Sequence, residues 1–479
     1  MKKYLKTTLN SKQTIFFISY VFVALAIMLF LVFSQAERNL ALGVLGLLVI
    51  LPFFLINEVA GLAALFVARP MLDIISDYAI FSIQNISFNL ASILGIGIFI
   101  WGVIIILKNK IKLQRIPLFW PWLAFFTFAI ISSFFAESKS LALAEIIKLA
   151  NVFIIYILVY DWIKSKADLS KFIRLIPLTI IVPSIFAIYQ LIFEMGLNFG
   201  GLSNRLYGTF GHPNGFAFYL VIVISLLLIY WLADPYFKNK KTLITKQITD
   251  RHWPVLPLII FLFILLLFTY TRGAWVGMII FLAVLGIFQY RKLLFIGTVI
   301  VIGTAIIFPL LNNFTINHYD HDLQTVPLVS RLTEKNEDAD SWDWRVEMYQ
   351  EMAPLALESP IFGSGLGSFE IVRSRTTANP YEALEAHNDY LRLAIETGIV
   401  GLILYIILII FISIRALQLL FYVKKNQPDY YLYAVGLIGL VAAIYSMSFA
   451  DNLLSGTPVQ WIFWASIAAI LSIRKFSKN

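Results

Sequence analysis

The sequence contains no cysteine. Disulfide staples, thiolate nucleophiles, iron-sulfur clusters and thiolate-bound zinc are therefore excluded together. Charge is scarce as well: 14% of the residues are charged, against about a quarter in a typical soluble domain. No internal repeat or low-complexity run is present, so the inverted-repeat signature of many secondary transporters is missing. Histidine occurs only five times, which keeps the set of candidate bases small.

What fills the 479 positions is apolar, with 60% hydrophobic residues, more than a soluble fold of this size can hide. Apolar runs of roughly 18 to 22 residues, the length that crosses about 30 Å of hydrocarbon, recur along nearly the whole chain. They lie near 14–34, 39–56, 58–69, 88–107, 118–136, 141–160, 173–193, 214–233, 253–269, 274–290, 293–311, 397–423, 430–450 and 459–473. The run at 58–69 is too short for a full crossing and reads as half of a broken or re-entrant helix. An all-α, polytopic membrane bundle of twelve to fourteen transmembrane helices follows. The first run exceeds a signal-peptide core, and Ser34-Gln35-Ala36 is a poor cleavage site, so it reads as a retained span.

The net charge of +9 is a matter of placement. Most Lys and Arg sit in short clusters between spans: Lys2 to Lys12, Lys108 to Arg115, Lys164 to Lys171, Lys238 to Arg251, Arg291 with Lys292, Lys424 with Lys425, and Arg474 to Lys478. This positive-inside pattern assigns both termini and all these clusters to the cytoplasm. The charge encodes orientation towards membrane lipids, and nucleic acid is not an expected partner. More than half of the 28 acidic residues fall instead between 312 and 396, a polar stretch that parity puts outside. The chain thus divides into a first bundle (1–311), a large extracytoplasmic loop domain (312–396) and C-terminal spans (397–479).

Within that loop, Trp344, Met348, Met352 and Leu355 recur at helical spacing, with Asp340 or Ser341 available as a cap. Gly363-Ser364-Gly365-Leu366-Gly367 is too glycine-rich for a helix and predicts a tight turn that approaches other backbone closely. No strand precedes it, so it is not a dinucleotide fingerprint. A second helix is expected from about Tyr381 to Thr397, ending at Gly398. It would put His387, Tyr390, Leu391 and Ala394 on one face.

Four residues carry candidate chemistry. Arg272 interrupts two spans in Thr269-Tyr270-Thr271-Arg272-Gly273-Ala274-Trp275. A cation at that depth faces a polar cavity or snorkels to the interface. Arg205 lies in the outer loop Asn204 to Asn214, at the mouth of the following span. His387 is either a satisfied structural residue or a base with an ordinary pKa near 6.5; His212 is its rival. Arg345 either pairs locally with Asp343 or Glu347 or adds a third cation. Two acidic groupings, His318-Asp320-His321-Asp322 and Asp338 with Asp340, read as solvated loop, so neither a metal nor a cofactor is expected. Glu145 and Lys148, three apart on one span, read as a self-neutralising pair.

In order along the chain, four segments resemble the bacterial O-antigen ligase and O-antigen polymerase superfamily. They are Arg205 to Asn214, Thr271-Arg272-Gly273-Ala274, Pro360 to Phe369, and His387-Asn388-Asp389-Tyr390-Leu391 before Gly398. The resemblance covers about residues 200 to 405. It implies an inverting, metal-independent glycosyltransferase of the bacterial cytoplasmic membrane, with its large loop in the periplasm or outside the cell. The implied donor is a glycan on undecaprenyl diphosphate, and the implied acceptor is a lipid or glycan. Carried over by motif, Arg205 and Arg272 would hold the diphosphate, Arg345 would assist, and His387 would be the base. A lipid-linked sugar flippase or other export transporter is the competing reading, and a scaffolding protein the third.

The absence of cysteine makes the topology testable. With single cysteines at Thr245 and Lys335, a membrane-impermeant thiol reagent should label only position 335 in intact cells or spheroplasts. Labelling of position 245 alone would overturn the scheme.

Overall fold

The computed structural model describes residues 51–54, 56–75, 79–83, 86–199, 202–233, 255–292, 342–375 and 385–476. Its helices in chain order are α1 (Glu58–Ala68), α2 (Leu90–Lys108), α3 (Phe119–Ser133), α4 (Lys139–Trp162), α5 (Lys166–Ile192), α6 (Pro213–Ala233), α7 (Val255–Phe268) and α8 (Arg272–Phe288). From residue 342 on come α9 (Trp342–Met352), α10 (Leu355–Glu358) and α11 (Phe369–Ser374), within the polar stretch, and then α12 (Asp389–Asn426), α13 (Tyr431–Met447) and α14 (Thr457–Leu471). Strand is confined to two small antiparallel hairpins, β1 (Ala79–Ile83) with β2 (Ile86–Asn89) and β3 (Leu197–Phe199) with β4 (Leu202–Arg205). Six of the described helices are long and apolar enough to cross a membrane, and α3, α7 and α8 are shorter apolar helices. The chain is an all-α polytopic membrane protein. The runs expected near 14–34 and 293–311, and most of that near 39–56, lie outside the described residues. The short run at 58–69 is helical over eleven residues.

These segments are helical because in hydrocarbon each backbone N–H and C=O needs a partner within its own segment. Their starts are marked by side chains that accept the first free N–H groups: Asn89 for α2, Ser138 for α4, Ser165 for α5 and Asn388 for α12. Two ladders of contact organise the bundle. α8 lies along α13, and α4 is clasped between α14 and α2. At the centre, Trp122 stacks on Phe153 with ring centroids 5.0 Å apart and meets Trp464 edge-on at 5.1 Å. Lipid tails are as apolar as the side chains, so van der Waals fit of this kind holds the helices together. Glu145 and Lys148 pair at 2.6 Å, as their spacing suggests. Glu145 also lies 3.9 Å from Arg392 of α12, which holds Glu396 at 3.1 Å.

α12 contains a break. Gly398 has φ 68° and ψ 179°, so residues 389–397 form a short arm and the rest a separate span. The glycine-rich turn grips this break, with positive φ at Gly363, Gly365 and Gly367. Ser364 N donates to Ile395 O, Gly365 N to Glu396 O, and Ile399 N back to Pro360 O, all within 2.8–2.9 Å. Ser132 Oγ of α3 lies 2.7 Å from Phe362 O and 2.8 Å from Glu396 O. Phe362 is sandwiched between Phe128 and Phe135. The turn thus satisfies carbonyls that the break in the helix leaves free. Met348, Met352, Leu355, Phe369 and Val372 form a second, smaller core with Ala386 and Ile395, so the part of the polar stretch after 341 is folded onto the arm. Asp340 and Ser341, the expected caps of α9, and the acidic groups at 318–322 and 338–340 lie outside the described residues.

The second loop helix begins later than expected. Residues 385–388 are irregular and the helix starts at Asp389, because Asn388 takes the capping position and accepts from Tyr390 N and Leu391 N. His387 therefore stands before the helix, in left-handed backbone at φ 44°, and shares no helical face with Tyr390, Leu391 and Ala394.

A Cβ at position 398 would lie 2.4 Å from Ile361 O, in a backbone region that disfavours side chains. Gly398→Ala should lower the thermal midpoint of the detergent-solubilised protein, by at least the ~1–3 kcal/mol of a strained residue. Gly97→Ala in α2, where a Cβ meets nothing within 4 Å, should not. Equal midpoints would rule out the grip as a stabilising element.

Candidate active site

The site is assembled at one end of the bundle by three loops. The first is the segment from β4 into α6, the second is the α7–α8 turn, and the third is the pairing of the α12 start with the α13–α14 loop. Leu206 N donates to Phe268 O at 3.1 Å and thereby joins the first two. Asp389 N donates to Ser448 O at 2.9 Å, and the Asp389 carboxylate accepts from Leu453 N and Leu454 N at 3.0–3.2 Å. That double tie fixes the α13–α14 loop against the residues just before α12.

Arg205 is 1% exposed. Its Nε donates to Thr269 O at 3.1 Å and its Nη2 to Asn214 Oδ1 at 3.0 Å, with Thr271 Oγ1 at 3.4 Å. A guanidinium this deeply buried needs a full set of acceptors, and the planar fork reaches two loops at once. Thr271 Oγ1 donates to the same Asn214 oxygen at 3.1 Å. The next residue, Arg272, opens α8 and is partly exposed. The structure thus sets Arg205 beneath the turn that carries Arg272.

Asn214 continues the chain of contacts. Its Nδ2 donates to Asp451 Oδ2 at 2.5 Å. Asp451 Oδ1 in turn stands 3.6 Å from His387 Nδ1, beyond an ordinary hydrogen bond but within ion-pair range. Burial disfavours the imidazolium, yet the Asp451 carboxylate outweighs it and holds the His387 pKa above its ordinary value. Burial likewise disfavours the Asp451 carboxylate, but His387 and then Arg345 hold its pKa below the usual range. With Nδ1 turned to the carboxylate, Nε2 is the nitrogen available to take a proton.

Arg345 of α9 is close enough to act electrostatically on both His387 and Asp451. One turn on, Tyr349 hydrogen-bonds His387 O at 2.7 Å and Phe449 O at 3.0 Å, so α9 lies across His387. His212 is the other histidine here. Burial, reinforced by Arg205 and His387, keeps it below its ordinary pKa despite the nearby Asp451 and Glu385. Its Nδ1 accepts from Asn214 N at 3.2 Å, which makes it a cap at the start of α6.

Ligand atoms of Glu385, His387 and Asp451 lie within 4.8 Å of one another, a grouping able to hold a cation. The two carboxylates are also engaged by the protein: Asn452 donates from Nδ2 to Glu385 at 2.9 Å and from its backbone N to Asp451 at 2.8 Å.

Residues 257–406 match the family model described as O-antigen ligase. Over that segment, about a third of the chain, the protein is similar to the O-antigen ligase family. A search of curated proteins finds no match to the chain. Arg272, Arg345, the glycine-rich turn and His387 lie within the family segment, whereas Arg205, Asn214 and Asp451 lie outside it. The fold brings the two sets together. Asn214 and Asp451 were missed as functional residues by sequence reasoning. The available signal for Asp451 was its isolation, because no other acidic residue follows Asp429.

Asn214 separates a buried cation from a buried carboxylate. Asn214→Ala should therefore destabilise the protein by about 1–3 kcal/mol per group left unpartnered. Thermal unfolding followed by intrinsic fluorescence in detergent measures this, and an unchanged midpoint would exclude a bridging role.

Proposed function

We propose that the chain is an inverting, metal-independent glycosyltransferase that moves a glycan from undecaprenyl diphosphate to an acceptor hydroxyl on lipid A-core, a growing polysaccharide or a protein. One observation carries this reading: the Arg205–Arg272 turn and the His387–Asp451 pair are linked through a single side chain, Asn214. Leaving-group cations and a carboxylate-backed base are the two halves that such a transfer requires.

The step balances as follows. The acceptor O–H gives its proton to His387 Nε2 while its oxygen bonds to the anomeric carbon from the face opposite the diphosphate. The bond from that carbon to the diphosphate oxygen breaks, and its electron pair leaves with the diphosphate. Arg272, partly exposed, meets the developing charge with a bidentate fork, and preorganised cations in a partly dry site stabilise such charge strongly. Arg205 acts from below, adding its charge and fixing the turn. Arg345 contributes a third positive charge across the base. Asp451 orients the imidazole and stabilises its protonated form, a positioning role. The base lies on the non-cytoplasmic side in this scheme, together with the family segment's large loop.

A transporter would use a histidine paired with a carboxylate as a proton relay, so a transfer assay is what separates the two readings. In a transfer assay with purified protein and lipid-linked donor, His387→Ala should lose about 100- to 10,000-fold in rate with donor binding nearly intact. Arg272→Lys should lose most activity despite its charge, since an ammonium lacks the fork. The wild-type rate should fall as pH drops through the raised His387 pKa, because only the neutral ring accepts a proton. Asp451→Asn removes the group that raises that pKa, so the acid limb should move to lower pH while the maximal rate drops. Near-normal transfer by stable His387→Ala protein, or activity that vanishes with chelator, would overturn the proposal. Rescue of strains lacking a ligase or a polymerase separates the acceptors.

A further inference from the structure

At the other end of α12 from His387, a cavity of about 750 Å³ opens between the start of α5 and the α12–α13 turn. Lys164, Lys166 and Lys425 line it, with Asp429 the single acidic residue in its wall. Lys164 has a partner, Asp161 at 3.6 Å, whereas Lys166 and Lys425 are exposed and make no ion pair among the described residues. The cavity therefore keeps a surplus of positive charge.

Its floor is built and not improvised. Gln427 closes α12 through its backbone N–H to Val423 O, and its Nε2 donates to Phe476 O at 3.0 Å. The Gln427 side-chain oxygen is buried behind the wall, so the polar groups presented to the opening are the lysines. Tyr430 packs edge-on against Phe476, with ring centroids 5.5 Å apart. Lys475 holds the last carbonyls of α4, with Nζ 3.1 Å from Ile163 O. The ends of α4, α12 and α14 are thus locked around the opening.

The approach to the cavity is apolar. Ile410, Ile414, Leu417 and Phe421 are 51%, 41%, 41% and 68% exposed and recur at spacings of four, three and four on α12. Lys425 follows Phe421 by four, on the same face. A molecule lying along this stripe would bring an anionic head to the lysines.

We propose that this cavity holds the headgroup of an anionic glycerophospholipid, with the phosphate between Lys166 and Lys425 and an acyl chain along the α12 stripe. The surplus charge selects an anionic over a zwitterionic head. The continuous apolar track selects a lipid over a soluble phosphate. The charge clusters at this end are those the positive-inside pattern assigns to the cytoplasm, so the lipid is that of the inner leaflet. This site is separate from the candidate active site and stands whether or not the transfer reaction does.

Phosphatidylglycerol, phosphatidylethanolamine of the same chains and soluble glycerol 1-phosphate serve as probes for the full-length protein, with binding read by native mass spectrometry and by thermal shift. Phosphatidylglycerol should bind and raise the midpoint. The other two should do so far more weakly. The Lys166→Gln/Lys425→Gln double variant, altered only at exposed side chains, should fold normally and bind phosphatidylglycerol about tenfold or more weakly. Equal retention of both lipids would overturn the proposal, as would saturation by glycerol 1-phosphate at the same concentration or undiminished binding by the double variant.

Discussion

A charged group inside an apolar bundle is costly unless its hydrogen-bonding atoms are answered. Asn214 is where this constraint concentrates, because its carbonyl faces the Arg205 guanidinium while its amide faces the Asp451 carboxylate. An amide is suited to that place, being acceptor at one end and donor at the other. It stands between a cation and an anion and holds Asp451 beside His387. The positions of three loops follow from satisfying these few buried atoms.

The same economy governs the break in α12. A straight helix from 389 would carry its first turns along the span's axis. The left-handed residue at 398 re-aims the arm, and the glycine-rich turn supplies the donors that the break leaves wanting. The family segment thus contains two kinds of residue. Arg272 and His387 are the candidates for chemistry, whereas Pro360 to Phe369 maintains the geometry of the arm that follows His387.

The spans were legible because length and apolarity are local properties, and the Glu145–Lys148 pair because its spacing is local too. The tight turn at 363–367 was readable as a conformation, since glycine is the residue that positive φ favours, but not as the partner of Gly398, which lies far along the chain. His387 was legible as a candidate and misplaced as a helical residue. Asn388 can serve either inside a helix or as its cap, and the α13–α14 loop, which sequence pattern did not bring near, decided for the cap. Asp451 carries no periodicity and no motif, and Asn214 is only the last residue of the Arg205 to Asn214 segment. Their meaning arises from a contact across 237 residues of chain, which no local pattern contains.

Asp451 lies between α13 and α14, in the last hairpin among the described helices. A ribosome delivers α6, then α8, then the arm of α12 to the membrane well before that hairpin exists. Throughout this interval Asn214 has no Asp451 to meet, and His387 has only Glu385 as an acidic neighbour. The candidate site can therefore close only after α14 has been made and inserted, long after its first elements have entered the bilayer.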